Sequence, residues 1–490
     1  MSMDSAKYRE KVMGCWLGKA VGGTLGQPYE GRDGPLDLEF YDPVPTDMIP
    51  NDDLDLQVLW ACILDKMDTP RVDRHVLGRA WLDHVDFPMD EYGVAMRNMR
   101  DGVQPPLSGR YDNWFTQGMG AAIRSEIWAC LAPGDPELAA SYAREDACVD
   151  HAGEGMYAEM FLAALESAAF TESDCQKLLD LALMQLPVDS RVRCAVNDTR
   201  IWWRQRQDWR EVRTLILARY GHENFTDVVM NMAFTVLGWL ACDGDFGRGI
   251  CTAVNCGKDT DCTGATLGAL LGILDPASIG SRWLDPIGRD LVLSPEIRGV
   301  TPPDTLDGFT DLVLDLNRRL AGRAPEPVSA ADTEEIPASL GVPVQAGSVE
   351  WGALGRPREF VPALPADAEQ MMLPGTMASL PAGHFKEDQP LLLRYCFTLE
   401  RSGKVWVMFN SPQNCRVWVD NAYVFGRECG RMAPSCHRVP LHQSTVIGLE
   451  AGEHFLWAAV APPADGEEAT WVAGVGDATT RQWLPGLFRA

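Results

Sequence analysis

The apolar positions of the N-terminal two thirds of the chain follow the period of an α-helix. Between Tyr157 and Ala168, apolar residues recur three and four positions apart, as on one face of an amphipathic helix. Residues 227–242 are apolar almost all round, which predicts a buried central helix. Further Ala- and Leu-rich segments continue to Leu320, and no alternating stretch is long enough to indicate a strand. The pattern predicts an all-α domain over residues 1–322.

After Leu391 the period changes to two. Short β-branched and aromatic runs predict strands, and they read LLLRYCFTL, KVWVMFN, RVWVDNAYVF, STVIGL, HFLWAAVA and TWVAGV. Asp420-Asn421 predicts a tight hairpin turn, because both residue types tolerate a positive φ. At least six short strands favour an antiparallel β-sandwich over residues 351–490. The intervening residues 323–350 are rich in Pro, Ala and acidic residues, which is typical of a linker.

The expected fold class is therefore multidomain α + β, with an N-terminal all-α bundle and a C-terminal antiparallel β-sandwich. Aromatic residues are abundant in the sandwich, and their alternation predicts that most of them fill its core. Exposed aromatic rings would instead stack on sugars. Two further alternatives for the sandwich are that it forms the surface of a homo-oligomer or that it covers the helical domain. The aromatic residues in question are Trp406, Trp418, Tyr423, Phe455, Trp457 and Trp471.

Composition narrows the classes of partner. The 490 residues include 43 basic and 69 acidic ones, a formal net charge of −26. This charge argues against a grip on nucleic acid or on an anionic membrane surface, since both need basic residues. The 14 cysteines include no Cys-x-x-Cys pair, and no apolar run has the length of a membrane span or of a signal sequence. These features predict a cytoplasmic protein with reduced, mostly buried thiols.

Two acidic clusters each open a predicted helix. Asn51-Asp52-Asp53 precedes the apolar pattern that starts at Leu56, and Asp259-Thr260-Asp261-Cys262 precedes GATLGALLGIL. One interpretation is that these residues only cap the helices and complement their dipoles. The other is that the clusters meet and share a cation, because carboxylates brought together repel unless one neutralises them. Oxygen ligands of this kind suit Mg²⁺, Mn²⁺ or Ca²⁺.

Glycines mark two of the predicted helices. Gly264, Gly268 and Gly272 recur every four residues and therefore lie on one helix face. Each costs about 1 kcal/mol relative to alanine inside a helix. Three in register predict that another backbone packs closely against this face. The glycine-rich segment from Gly14 to Gly26 has the same four-residue spacing.

Several segments of the helical region occur in a recognisable order. They are GCWLGKAVGGTLGQPYE (14–30), NDDLDLQ (51–57), GMGAAIR (118–124), DHAGEGMY (150–157) and NCGKDTDCTGATLGALLG (255–272). Asn231 and Gly244-Asp245-Phe246 are further landmarks. Together the segments resemble the ADP-ribosylglycohydrolase family, of the dinitrogenase-reductase-activating type. The extra C-terminal β-sandwich lies outside this resemblance.

The resemblance implies an all-α glycosidase that uses Mg²⁺ or Mn²⁺, as one or two ions, to cleave an N- or O-glycosidic bond to ADP-ribose or a related ribosyl group. Its partners would be an ADP-ribosylated substrate or a small-molecule glycoside. Carried over by position, the implied metal ligands are Asn51, Asp52, Asp53, Asp259 and Asp261. The implied catalytic residues are Glu30, Asp53 and Asp259, and the implied substrate-binding residues are Gly118, Gly120, Arg124, His151 and Tyr157.

Some of these positions have an alternative interpretation. Arg124 either pairs a substrate phosphate or pairs an acid of a neighbouring helix. His151 either contacts ligand or is a structural histidine near a helix start. The glycines Gly118 and Gly120 either let backbone approach a ligand or form an ordinary turn. Cys262 is expected to be a buried, inert thiol, because no activating histidine lies nearby in sequence.

Four residues depart from the family pattern. Asn51, Leu54 and Cys262 stand where the family has threonines, and Gly23 stands where it has an aspartate. Sulfur is a poor ligand for Mg²⁺. These departures favour one ion over two, and they leave two alternative functions open. One is a hydrolase of another small glycoside or nucleoside on the same fold, and the other is a non-catalytic ligand-binding homologue.

Overall fold

The computed structural model describes residues 4–326, 340–386, 389–428, 430–432, 443–464, 466–484 and 488. It confirms the predicted order of a helical region followed by antiparallel sheets. The described residues form two compact units. One contains residues 4–86 and 116–326, and the other contains residues 87–115 and the described residues from 340 onwards.

The helices follow the predicted periodicity. The buried stretch at 227–242 is one helix, and the amphipathic stretch between Tyr157 and Ala168 lies within another. The α-helices are α1 Ser5–Gly26, α2 Asp52–Asp65, α3 Arg74–His84, α4 Asp90–Arg100, α5 Leu107–Arg110, α6 Glu126–Leu131, α7 Pro136–Ala147, α8 Glu154–Ala169, α9 Cys175–Leu183, α10 Arg191–Arg206, α11 Trp209–Tyr220, α12 Val228–Ala241, α13 Phe246–Asn255, α14 Thr260–Leu274, α15 Gly280–Leu284, α16 Leu306–Leu320 and α17 Trp351–Leu354. None of the helices in this part of the chain is both long and apolar enough to span a membrane.

Helices α1 and α14 pack backbone to backbone in opposite directions. Their glycines meet in the pairs Gly14–Gly272, Gly18–Gly268 and Gly22–Gly264. A Cβ atom on Gly18 would lie 2.0 Å from the carbonyl oxygen of Gly268, so no larger residue fits without separating the helices. This confirms the close packing predicted from the glycine spacing. The antiparallel arrangement brings the end of α1 to the start of α14.

Two antiparallel sheets form the second unit. One sheet has the strand order β2-β1-β4-β9-β6-β7 and the other the order β3-β10-β5-β8. Their inner faces share one apolar core, and Trp471 in that core donates a hydrogen bond to the Tyr395 hydroxyl at 2.7 Å. The strands are β1 Val342–Ser348, β2 Glu369–Leu373, β3 Met377–Pro381, β4 Leu391–Leu399, β5 Gly403–Asn410, β6 Cys415–Val419, β7 Ala422–Arg427, β8 Ser444–Leu449, β9 Gly452–Val460 and β10 Glu468–Asp477.

The hairpin turn predicted from the sequence is present in the β unit. The turn between β6 and β7 falls at Asp420-Asn421, and Asp420 has a φ of 52°. Of the six aromatic residues expected in the core, Trp471 lies in the cluster between the sheets. Trp406, Trp418 and Trp457 are each at most 5% exposed, but they are buried in two separate clusters. Strand β1 differs from expectation, because it lies inside the stretch expected to be a linker. Residues 327–339 of that stretch lie outside the described residues.

The segment 87–115 differs from the expected division of the chain at residue 322. Its Val94 and Phe115 share an apolar cluster with Trp406 and Trp483 of the β unit. Asp112 accepts hydrogen bonds from the backbone N–H groups of Thr376 and Met377 and from the Thr376 hydroxyl, at 2.6–2.9 Å. The guanidinium of Arg97 donates to the same carboxylate at 3.0 Å. This segment of the helical sequence is therefore part of the β unit.

Substituting Thr376 with valine is expected to lower the free energy of unfolding of the β unit by about 1–2 kcal/mol. The change preserves shape but removes a hydroxyl that donates to Asp112 at 2.6 Å and accepts from Arg97 at 3.0 Å. Chemical denaturation monitored by tryptophan fluorescence would measure the loss. The control is Thr398→Val on β4, where the side chain is exposed. Equal stability of the two variants would contradict the role of this cluster.

Candidate functional site

The two acidic clusters lie next to each other in space. Asn51 caps α2, because its Oδ1 accepts the backbone N–H of Asp53 at 2.8 Å. The Nδ2 of the same amide donates to Oδ2 of Asp261, at the start of α14, at 3.3 Å. The sequence places these two residues 210 positions apart. The packing of α1 on α14 and of α1 on α2 brings them together.

The carboxylates at this junction are buried and incompletely paired. Asp53, Asp259 and Asp261 are 1%, 2% and 5% exposed. Both carboxylate oxygens of Asp53, Oδ2 of Asp259 and Oδ1 of Asp261 have no hydrogen-bond partner among the described residues. Asp259 stands at the N-cap position of α14, yet its side chain makes no capping hydrogen bond. Helix capping alone therefore does not account for these acids.

The three acids strongly disfavour one another's ionisation. Burial raises the pKa of Asp53, Asp259 and Asp261 well above the usual range of an aspartate. Their mutual repulsion raises these pKa values further, and the nearby charge of Glu30 adds to the effect on Asp259 and Asp261. A bound cation would lower these pKa values again, because it stabilises the ionised carboxylates.

The sulfur atom of Cys262 lies beside the carboxylates of the acidic cluster. Asp53, Asp261 and Cys262 each offer one ligand atom, and these three atoms lie within 4.8 Å of one another. The Cys262 thiol also interacts electrostatically with the Asp259 carboxylate and opposes the rise in its pKa. Cys262 is 8% exposed and is buried as expected. Sequence analysis placed it beside Asp261 but predicted an inert thiol, and it did not predict that the sulfur lies close to Asp53.

Asn51 links the two helix starts. Its amide oxygen accepts the Asp53 N–H, and its amide nitrogen donates to Asp261. Asn51 therefore caps α2 and orients Asp261. Because the amide oxygen has a second lone pair, the expected role of Asn51 as a metal ligand stays a prediction. Asp52, the other implied ligand of this cluster, is half-buried beside the carboxylates, and its charge raises the pKa of Asp53 and Asp261.

A buried lysine neutralises one side of the cluster. Lys19 on α1 is 1% exposed, and its Nζ lies 2.8 Å from Oε1 of Glu126 and 3.5 Å from Oδ1 of Asp53. Burial opposes its charge, but Glu126 and Asp53 outweigh burial and raise the pKa of Lys19. Sequence analysis missed this residue. The available signal was a lone charged side chain in the middle of a glycine-rich, apolar helix.

Glu30 lies at the solvent side of the cluster. It follows the short 3-10 helix Gln27–Tyr29 that extends α1, and its side chain is exposed. The charge of Glu30 raises the pKa of Asp259 and of Asp261, so its carboxylate lies close enough to both to interact electrostatically. Asn231 on α12 supports the same region, because its Oδ1 accepts the N–H of Asp259 at 3.4 Å.

The expected substrate-binding segments also adjoin this region. Gly118 forms a β-bridge with Asp227, whose carbonyl accepts a hydrogen bond from Asn231 at 2.9 Å. Contacts therefore run from the 118–120 turn through Asn231 to the start of α14. Gly155 on α8 packs so closely on this loop that an added Cβ would lie 2.3 Å from the carbonyl oxygen of Thr116. The ring of Tyr157, two residues further along α8, is half-buried.

The structure places Arg124 in the interior. Its side chain is fully buried and donates to Asp146 at 2.9 Å and to both Asp150 oxygens at 2.6 and 3.0 Å. A further bond reaches the carbonyl of Gly120 at 2.6 Å. This arrangement matches the interpretation in which Arg124 pairs acids of a neighbouring segment. A direct contact with a substrate phosphate would require these bonds to break.

His151 belongs to the same buried network. Its ring is fully buried, and Nδ1 lies 3.0 Å from Oδ1 of Asp150. Burial opposes the charge of Asp150, but Arg124 and His151 outweigh burial and lower the pKa of Asp150. The geometry thus supports a structural role for His151, in which it holds the 151–157 segment against the 118–120 turn.

Asp55 on α2 provides a comparison with the clustered acids. It is 1% exposed, but its Oδ2 accepts the backbone N–H of Ser294 at 3.1 Å and does not face the cluster. Burial raises the pKa of Asp55 to about 7. Because this value exceeds that of the unfolded chain, the native state binds the extra proton between about pH 4 and pH 7. In this window Asp55 makes the protein less stable as the pH rises.

Replacing Asp55 with asparagine is therefore expected to stabilise the protein progressively as the pH rises from 5 to 7. The gain relative to the wild type should grow by about 1 kcal/mol per pH unit and then level off. Urea unfolding at several pH values in the presence of EDTA would measure it. A stability difference that stays constant with pH would contradict the raised pKa.

Comparison with known proteins identifies the family of the helical region. The family described as ADP-ribosylglycohydrolase matches residues 4–323. One solved structure, titled "ADP-ribosylglycohydrolase-related protein complex", is 20% identical in sequence, and the match covers 64% of this chain and 99% of that chain with a TM-score of 0.45. The comparison with curated proteins found no match. Because the family match spans about two thirds of the sequence, the chain belongs to the ADP-ribosylglycohydrolase family, with an additional C-terminal β unit.

Proposed function

We propose that this protein is a divalent-metal-dependent glycohydrolase that cleaves an N- or O-glycosidic bond to ADP-ribose or a related ribosyl group. The proposal rests on one observation. Three buried aspartates from two helix starts converge with carboxylate oxygens that lack hydrogen-bond partners in the described chain. Family membership supports the reaction class, and the cluster supports the cation.

The residues fit a cation on chemical grounds. Asp53, Asp259 and Asp261 would hold it, since hard carboxylate oxygens suit Mg²⁺ and Mn²⁺. When bound, such an ion orients a water molecule and the ribose hydroxyls, and it lowers the pKa of that water. Lys19 already neutralises one side of Asp53, and Gly23 contributes no carboxylate. Both features favour one ion over two.

The protein's own groups would handle the protons. Glu30 is exposed at the edge of the cluster, where it can accept a proton from the attacking water or return one to the leaving group. Asp259 is buried and would help to hold the ion and to position the attacking water. In this proposal Asp53 and Asp261 stay ionised and stabilise positive charge at the anomeric carbon as the glycosidic bond breaks.

Substrate would lie over the segments that adjoin the cluster. The backbone of the 118–120 turn and the half-buried Tyr157 are the proposed contacts for the rest of the ligand. Arg124 and His151 would act through this turn and not by touching the ligand, since both are fully buried in the Asp150 network. Glycines at 118 and 120 carry no side chain that would keep a ligand away from the backbone of this turn.

The test is a release assay on the full-length protein. The protein would be stripped with EDTA, reloaded with Mg²⁺ or Mn²⁺, and given an ADP-ribosyl-arginine peptide, an ADP-ribosyl-serine peptide or a free ribonucleoside. We expect metal-dependent release of ADP-ribose from at least one peptide, measured by chromatography. Release that persists in EDTA would reject the metal dependence. Cleavage of the nucleoside alone would support the glycoside or nucleoside alternative.

A second candidate follows from the departures at this site. Gly23 faces Asn51, and a Cβ atom added to Gly23 would lie 3.5 Å from Asn51 Nδ2, so no carboxylate reaches the cluster from that side. A protein with fewer acidic groups than its family pattern implies is also a candidate ligand-binding homologue without turnover. ADP-ribose binding by calorimetry, with no release from any substrate, would select this function.

A further inference from the structure

The cysteine within the acidic cluster changes the chemistry of the centre. Asp53, Asp261 and Cys262 present two carboxylate oxygens and one sulfur within 4.8 Å of one another. All three side chains are more than nine-tenths buried. Both oxygens of Asp53 and Oδ1 of Asp261 lack hydrogen-bond partners among the described residues, and Lys19 approaches Asp53 only to 3.5 Å. The cluster therefore has donor atoms available for an ion.

We propose that Cys262 is a metal ligand and that the centre is a mixed carboxylate–thiolate site, which selects a borderline ion such as Zn²⁺, Fe²⁺ or Co²⁺ over Mg²⁺. This inference rests on the proposed metal dependence and specifies which class of ion the site takes. Thiolate sulfur binds borderline ions well and Mg²⁺ poorly, whereas carboxylates accept both classes. A site made of Asp53 and Asp261 alone would not discriminate in this way.

The position of Cys262 on α14 supports this role. It follows Asp261 directly in the first turn of the helix, and its sulfur lies within 4.8 Å of carboxylate oxygens of Asp261 and Asp53. The thiol also interacts electrostatically with the Asp259 carboxylate of the same cluster. When an ion binds, Cys262 would lose its thiol proton to the solvent and would hold the ion through its thiolate sulfur. Donation of an electron pair by sulfur balances the step without any oxidant or reductant.

Another cysteine of the same segment provides a control. Cys256 lies six residues before Cys262 and is fully buried, but it does not belong to the acidic cluster. Its carbonyl accepts a hydrogen bond from Arg213 at 2.8 Å, which a change of its side chain leaves in place. Cys194 and Cys396 are exposed, and exposed thiols can bind added metal nonspecifically.

The experiment is a Co²⁺ titration of the full-length protein under reducing, oxygen-free conditions. The background variant carries Cys194→Ser and Cys396→Ser. Addition of Co²⁺ should produce a near-ultraviolet sulfur-to-cobalt charge-transfer band that saturates at one ion per chain. Cys262→Ser should abolish the band, and Cys256→Ser should retain it. The ratio of Co²⁺ to Mn²⁺ affinity, measured by calorimetry, should fall about tenfold or more in Cys262→Ser, because the variant exchanges sulfur for oxygen.

The outcomes separate this inference from the proposed function. Saturable Co²⁺ binding without the band would overturn sulfur ligation but leave a carboxylate metal site intact. A band that persists in Cys262→Ser would also overturn it. Absence of binding of any of the three ions, Co²⁺, Mn²⁺ or Mg²⁺, would reject the metal centre itself and with it the proposed function. If Cys262→Ser does not fold, as judged by circular dichroism, the band of the wild type and its loss in Asp261→Asn decide the question.

Discussion

Replacing Asp261 with asparagine is expected to abolish the rise in Tm that a divalent ion produces and to lower turnover by at least about 100-fold. The variant keeps the size of the side chain and an oxygen that accepts the hydrogen bond from Asn51 at 3.3 Å. It removes the negative charge of one of the atoms that would hold the ion. Differential scanning fluorimetry and the ADP-ribose release assay would measure the two effects.

In EDTA the same substitution should have the opposite effect on stability. The Asp261 carboxylate is buried beside Asp53, Asp52 and Glu30, and burial and their charges raise its pKa. Without a cation, a neutral amide relieves that repulsion, so the variant should be at least as stable as the wild type at neutral pH. A variant that is less stable in EDTA as well would indicate a structural role, and would contradict the assignment of Asp261 as a ligand.

The matched control is Asp245→Asn. Asp245 caps α13 by accepting the backbone N–H of Arg248 at 2.7 Å, and it is exposed. Asparagine is an equally good N-cap, so this change should leave stability and metal response almost unaltered. Equal behaviour of the two variants would restore the interpretation that the acids at these helix starts only cap.

Much of the site was predictable from local sequence. Glycines four residues apart predicted the close contact that the structure forms between α1 and α14, because only glycine permits that approach. Two acidic helix starts allowed either simple capping or a shared site, and the structure brings Asp53 and Asp261 together. The strands were predictable because they are short runs of β-branched and aromatic residues, even where, as in β5, both faces are buried.

The remaining features depend on contacts between distant segments, which no local pattern records. The buried charge of Lys19 is stabilised by Asp53 and by Glu126, which lies 107 residues away in sequence and accepts a hydrogen bond from its Nζ at 2.8 Å. Segment 87–115 is helical like its neighbours, but Val94 and Phe115 pack on the β unit. Strand β1 lies in a Pro-rich stretch, and its pairing with β2 and β4 compensates for that composition.

The contact between α1 and α14 leads to the second large effect. Gly18→Ala is expected to lower the free energy of unfolding by about 3 kcal/mol. The added Cβ would lie 2.0 Å from the carbonyl oxygen of Gly268 and 2.6 Å from its carbon, both backbone atoms that cannot rotate away. Relief requires the two helices to separate, and the Gly14 and Gly22 contacts on the same face would then loosen as well. Urea denaturation in EDTA measures the loss without a contribution from metal.

Gly23→Ala on the same helix separates crowding from helix propensity. Its Cβ would meet Asn51 Nδ2 at 3.5 Å and the Ala265 side chain at 3.6 Å, which are ordinary contacts. Alanine favours a helix over glycine by about 1 kcal/mol, so this variant should be as stable as the wild type or more stable. The same preference applies at Gly18, where the clash must outweigh it. Opposite signs for the two substitutions would therefore establish that backbone contact with α14 determines the glycine spacing of α1, whereas a stabilising Gly18→Ala would show that the helices do not pack this closely.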